Sequence, residues 1–205
     1  MCATGAGKLA AIRDNLFMLV YIHGFNSSPA SFKANRLRER LATIGREQEL
    51  ICPALSHWPE QALAQLNDAI TAVDPGQLTL VGSSLGGFYA TWLTEHLGCR
   101  SVLVNPAITP HVGLRAYLGK QKNLYTGNEY EFTEEHIAQL AALHVRQPLR
   151  MDRYLLIHTT GDELLDWRIA VERFRGCRQI VVDGSDHGFS EFTDYIDCVF
   201  GFAGI

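Results

Sequence analysis

Three side chains in this sequence have the types and the order that acyl transfer needs: Ser84, Asp162 and His187. A serine hydroxyl is a weak nucleophile until a base takes its proton, and an imidazole serves best when a carboxylate fixes its tautomer. Ser84 is the centre of Gly82-Ser83-Ser84-Leu85-Gly86. The apolar run Leu78-Thr79-Leu80-Val81 precedes it, and a helical pattern over 85–97, with Gly98 as its stop, follows. Strand, Gly-x-Ser-x-Gly and helix in succession predict a nucleophile elbow, a turn too tight for a side chain at either glycine. Ser83 lies off the centre of the two-glycine frame and reads as packing.

The partners must follow the serine as acid and then histidine, each on a loop beyond a strand. A predicted strand over 153–158 empties into Thr159-Thr160-Gly161-Asp162-Glu163, and one over 178–182 empties into Asp183-Gly184-Ser185-Asp186-His187-Gly188-Phe189. Asp162 is therefore the expected acid and His187 the expected base. Glu163 is the strongest rival to Asp162. Asp166 precedes a helical run, 169–174, and reads as a cap. Asp186 adjoins His187 and reads as a solvated loop residue, while His158 points from a strand. An oxyanion hole takes one N–H from the residue after the serine and another from the loop after an early strand. Leu85 supplies the first, and Phe25, in Tyr21-Ile22-His23-Gly24-Phe25-Asn26, the second, with His23 bracing that loop. Asn26, Trp58, Ala107, Leu165 and Phe189, on loops expected beyond strand ends, are the expected substrate-binding residues.

These loops need a scaffold that brings strand ends to one edge. Short β-rich runs at 16–22, 48–52, 78–82, 101–104, 153–158 and 178–182 alternate with helical patterns, which predicts a mainly parallel α/β sheet flanked by helices. The first helix carries Leu37, Leu41 and Ile44 at helical spacing after a start near Ser31. The second carries Leu63, Leu66, Ile70 and Val73 before Pro75-Gly76, and the last carries Phe192, Ile196 and Val199. The interval from Asn105 to Arg153 exceeds what one crossover needs, so a small cap over about 107–150 is expected at the site; the alternative is a surface insertion that never meets substrate. A single domain over 16–205 follows an N-terminal extension, 1–15, to which no role is assigned. Within it Gly5-Ala6-Gly7-Lys8 lacks the spacing and the Ser or Thr of a phosphate-binding loop.

Of 205 residues, 47% are hydrophobic and 20% charged, with a net charge of −4, an ordinary soluble composition with no nucleic-acid footprint. Five scattered cysteines, Cys2, Cys52, Cys99, Cys177 and Cys198, fit reduced thiols in the cytoplasm better than a disulfide framework or a zinc site. The remaining histidines, His57, His96, His111, His136 and His144, share no metal-ligand spacing, so neither a metal nor a cofactor is expected. The run 16–22 is too short for a membrane span and has no cleavage site behind it.

The assembled motifs resemble the YqiA-type small bacterial esterases of the α/β-hydrolase superfamily. The resemblance rests on 21–29 (Tyr-Ile-His-Gly-Phe-Asn-Ser-Ser-Pro) and 82–90 (Gly-Ser-Ser-Leu-Gly-Gly-Phe-Tyr-Ala), then on Asn105-Pro106-Ala107, Gly161-Asp162-Glu163 and Asp186-His187-Gly188-Phe189. It implies an α/β-hydrolase fold, a Ser84–Asp162–His187 triad and hydrolysis of small carboxylic or acyl thioesters carrying modest acyl groups. A thioesterase or acyltransferase would use the same triad, and a non-catalytic binding module on this scaffold is the alternative of another class. Oligomeric state is not legible in the sequence.

Overall fold

A computed structural model describes residues 17–205. The extension 1–15 and the first residue of the strand expected at 16–22 lie outside the described residues. Six strands form one parallel sheet: β1 (Met18–Ile22), β2 (Leu50–Ile51), β3 (Leu78–Ser83), β4 (Arg100–Val104), then Tyr154–Thr159 and Arg178–Val182. Between β4 and Tyr154 lies a separate antiparallel hairpin, β5 (Gly119–Lys122) with β6 (Glu129–Phe132). The last two sheet strands are accordingly β7 and β8, and the sheet order is β2-β1-β3-β4-β7-β8. All six elements lie where the alternation of apolar runs places them. The edge strand β2 is shorter than its expected span because Glu47–Glu49 form a 3-10 turn and Pro53, with no N–H, cannot extend the ladder.

Helices cover both faces. α1 (Phe32–Thr43) and the C-terminal helix Ile196–Ala203 pack on one side, against Leu19, Tyr21, Val102, Val104, Leu155 and Ile157. On the other side α2 (Pro59–Ile70) and α3 (Leu85–Leu97) meet Val20, Ile22, Leu80, Leu103 and Leu156. Residues one apart on a strand fall on opposite faces, so both alternate sets are apolar, as a sheet buried on two sides demands. The excursion between β4 and β7 adds α4 (Pro110–Gly113), the hairpin and α5 (Glu134–Ala142), and α6 (Trp167–Arg173) follows β7. The C-terminal helix is α7, entered through a 3-10 turn at Phe192–Tyr195.

Because every sheet strand runs the same way, all their carboxyl ends share one edge. The chain order reverses between β1 and β3, where strands are added to opposite sides, and the crevice at such a switch point is the natural ligand site of an open α/β sheet.

The closest packing lies at that crevice. A Cβ on Gly86 would fall on the Ile22 carbonyl oxygen, and one on Gly82 would come 2.7 Å from the Gly87 Cα. Alanine at 86 must therefore push α3 off β1, and we expect Gly86→Ala to cost at least 1–3 kcal/mol, the usual range for overpacking. Gly113, in right-handed helical conformation with nothing within 4 Å of its missing Cβ, is the control. There, alanine should be neutral or stabilise by up to about 1 kcal/mol. Urea midpoints of the two variants check the contrast.

Candidate active site

Ser84 sits between β3 and α3 with φ 54° and ψ −120°, a backbone conformation costing a non-glycine residue about 1–3 kcal/mol. Burial of Phe88, Tyr89 and Leu93 on α3 outweighs that strain, at roughly 1.5–3 kcal/mol for a large apolar side chain. The turn lifts Oγ to the carboxyl edge of the sheet, where His187 Nε2 lies 3.0 Å away. His187 Nδ1 is 2.8 Å from Asp162 Oδ2. The other carboxylate oxygen accepts the Leu164 and Leu165 N–H groups, both at 2.9 Å. Burial alone would raise the Asp162 pKa; the His187 contact and those two N–H groups outweigh it and hold the carboxyl below its ordinary range. An ionised carboxylate only accepts, so Nδ1 carries the proton and Nε2 is left as the acceptor that faces Ser84.

The loop bearing His187 is fixed from four directions. Asn105, fully buried at the end of β4 with φ 42°, donates through Nδ2 to the Asp186 and His187 carbonyls, both at 3.2 Å. Its Oδ1 accepts the Thr159 N–H at 2.9 Å, and Thr159 Oγ1 donates to the Asp186 carbonyl at 3.1 Å. Lys33 on α1 reaches the Gly188 carbonyl at 2.6 Å; burial brings its ammonium down to about 8, with Asp186 and Asp162 pulling the other way. Glu163, the rival acid, accepts the His187 backbone N–H at 3.0 Å and so braces the loop. Asp166 caps α6 by accepting from the Arg168 N–H. Asp186 accepts from Ser190 Oγ, and His158 is fully buried on β7. Sequence reasoning gave no role to Asn105 or Lys33. A polar residue at a strand end before proline was the one signal for Asn105; for Lys33 there was none.

The loop after β1 faces Ser84 closely: the Cβ position of Gly24 is 3.1 Å from the Ser84 Cβ and 3.7 Å from Oγ. His23 fixes this loop as a neutral ring, Nε2 accepting the Leu55 N–H at 3.2 Å and Nδ1 donating to the Gly24 carbonyl at 3.1 Å. Burial lowers its pKa, keeping it in that form. Among the described residues the Phe25 and Leu85 N–H groups have no protein acceptor. Both residues border the cleft above Ser84.

That cleft encloses about 670 Å³ and is lined by Ser84, His187, Phe25, Asn26, Ala107 and Leu165 among others. Its remaining walls are largely apolar and come from the excursion, with Ile108, Val112, Leu114, Tyr117 and Leu124, and from the start of α6, with Ile169. Two residues expected in the cleft lie elsewhere. Trp58 stacks on His136 with ring centroids 3.7 Å apart, because this flat ring at the head of α2 finds a flat partner on α5. Phe189 adopts φ 55°, which turns its ring away into the core, against Phe192 and Tyr195.

Residues 18–204 match the model of an uncharacterised protein family, UPF0227. The chain belongs to UPF0227. A UPF0227 protein of Pectobacterium carotovorum subsp. carotovorum is 26% identical over 191 residues, covering 90% of this chain and 98% of its own length. The fold is that of the α/β hydrolases. Mouse alpha/beta hydrolase domain-containing protein 10 superposes with a TM-score of 0.70 at 16% identity, covering 89% of this chain and 87% of that one. The esterase domain of a Rhodothermus marinus protein gives 0.61 at 15% identity, covering 90% and 84%. In this UPF0227 chain the match spans all the residues just described, including the excursion.

The excursion is pinned to the loop that leads into α2 by a histidine pair. The Thr133 N–H donates to His136 Nδ1 at 3.0 Å, so the His136 proton sits on Nε2, facing His57 Nδ1 at 2.9 Å. Burial, then His57, lowers the His136 pKa to about 4. The unfolded chain therefore binds a proton between about pH 6.5 and 4 that the folded chain refuses, and stability falls with pH across that window. His136→Gln keeps an amide able to complete the capping box and removes the titration. We expect its melting temperature to fall less than wild type's between pH 6.5 and 4.5 in scanning calorimetry.

Proposed function

We propose that this protein is a cofactor-independent serine hydrolase of small carboxylic or acyl thioesters. The observation carrying the reading is the unbroken chain from Ser84 Oγ through His187 to Asp162, at 3.0 and 2.8 Å. The Ser84 oxygen attacks the ester carbonyl carbon as its proton passes to His187 Nε2. Negative charge on the former carbonyl oxygen is met by the Phe25 and Leu85 N–H groups and by the positive end of α3. As the intermediate collapses, the C–O or C–S bond to the leaving group breaks and the imidazolium gives that group its proton. Water then attacks the acyl-enzyme with Nε2 as base, releasing the acid and restoring Ser84.

Asp162 stays ionised throughout: its depressed pKa keeps the carboxylate charged across the neutral range, so the imidazolium always has a counter-charge. The apolar cleft walls suit an uncharged acyl group better than a charged one, since an unpaired ion there would lose hydration without replacement. An esterase domain among the similar folds supports the same chemistry. No helix of the described residues is long and apolar enough to cross a membrane. Cys52, Cys99, Cys177 and Cys198 form no disulfide among the described residues, which supports a reducing, cytoplasmic setting as part of this proposal.

Ser84→Ala is expected to lower p-nitrophenyl butyrate turnover by about 10⁴-fold or more and to abolish fluorophosphonate labelling, with the circular dichroism spectrum unchanged. Ser83→Ala should keep most of the activity. Full turnover by Ser84→Ala would defeat the assignment.

A further inference from the structure

The hairpin β5–β6 is expected to wall the substrate cleft, yet its strongest polar contacts go to the loop carrying Phe25. Tyr130 donates its hydroxyl to Asn26 Oδ1 at 2.7 Å, and Asn26 Nδ2 donates to Gln121 Oε1 at 3.0 Å. The Asn26 carbonyl accepts the Leu124 N–H at 2.9 Å, and the Ser27 carbonyl accepts from Asn123 Nδ2 at 2.8 Å. The Phe25 ring packs edge-on against Tyr117 and Phe132, at 5.8 and 5.3 Å between centroids. Every one of these partners belongs to the excursion between β4 and β7.

The orientation of this network is fixed at its far end. Gln121 Nε2 donates to the Tyr117 carbonyl at 2.7 Å, so its Oε1 is what faces Asn26. Only a donor can meet that oxygen, which turns Asn26 Nδ2 toward Gln121 and Oδ1 toward the Tyr130 hydroxyl. Asn26 itself has φ 52°, a left-handed conformation that asparagine tolerates and most residues resist. A held left-handed residue directly after Phe25 sets the plane of the peptides on either side of it. Tyr130 is in turn clamped, its ring stacked on His57 at 4.2 Å and 21°.

Building on the hydrolase reading, we infer that the β5–β6 hairpin positions the oxyanion-binding Phe25 N–H, with Tyr130 and Asn26 as the positioning residues. The hydrogen-bond chain from Gln121 through Asn26 to Tyr130 aims a donor whose alignment matters most when charge develops on the substrate oxygen. Loss of a whole oxyanion donor costs about 10²–10³ in kcat, and a donor merely released from its brace should cost about 10-fold.

The test compares wild type with Tyr130→Phe, which removes one hydroxyl and keeps the ring. On p-nitrophenyl butyrate we expect kcat to fall about 10-fold with KM within 2-fold. The inhibition constant of a trifluoromethyl ketone, whose adduct with Ser84 carries the oxyanion, should weaken by the same factor. Gln121→Leu gives an independent route to the same loosening and should weaken the ketone likewise. Glu131→Ala, on the exposed side of the same hairpin, should match wild type. Unchanged kcat and ketone affinity in both Tyr130→Phe and Gln121→Leu, or a rise in KM alone, would overturn the inference while leaving the hydrolase reading intact. A wild-type protein that neither turns over ester nor labels at Ser84 overturns both.

Discussion

The contact between Gly86 and the Ile22 carbonyl is the constraint from which the geometry of this molecule follows. Helix α3 can begin immediately after β3 only if its first turn lies against β1 with no side chain between them. That approach forces Ser84 into a conformation its side chain disfavours, and the buried face of the helix holds it there. It also brings the loop after β1 within van der Waals reach of Ser84, so the hydroxyl and the Phe25 loop share one crevice. A parallel sheet then delivers the remaining groups without further invention, because the loops after β7 and β8 open onto the same edge.

What could be read from the sequence is what is encoded locally. The elbow announces itself in five consecutive residues, because two glycines and a serine at fixed spacing record a steric requirement rather than a preference. The strands and the helices α1, α2 and α3 follow from hydrophobic period, and the order serine, acid, histidine from the succession of strand ends. Asp162 was separable from Asp166 by the same logic, since a residue preceding a helical run has a cap to make.

What the sequence concealed depends on encounters between distant segments. Lys33 meets the Gly188 carbonyl across 155 residues with no local pattern to mark it, and Asn105, marked only as a polar residue before proline at a strand end, meets the His187 carbonyl across 82. Trp58 and Phe189 mislead for a related reason: both sit on loops near strand ends, but an aromatic ring goes where a packed surface receives it. For Trp58 that surface is His136 on α5, and for Phe189 it is the core beneath α1 and α7. The histidine pair was likewise invisible, being made by residues 79 positions apart.

The two rims of the sheet are unequal. Pro53 stops β2 after two residues, leaving almost no ladder there for another chain to copy, whereas β8 ends the sheet at five residues with Val181 half in water. The longer edge ladder is therefore the one on the β8 side, directly upstream of the loop that carries His187. The same five residues thus close the sheet on that side and set where the loop holding the imidazole begins.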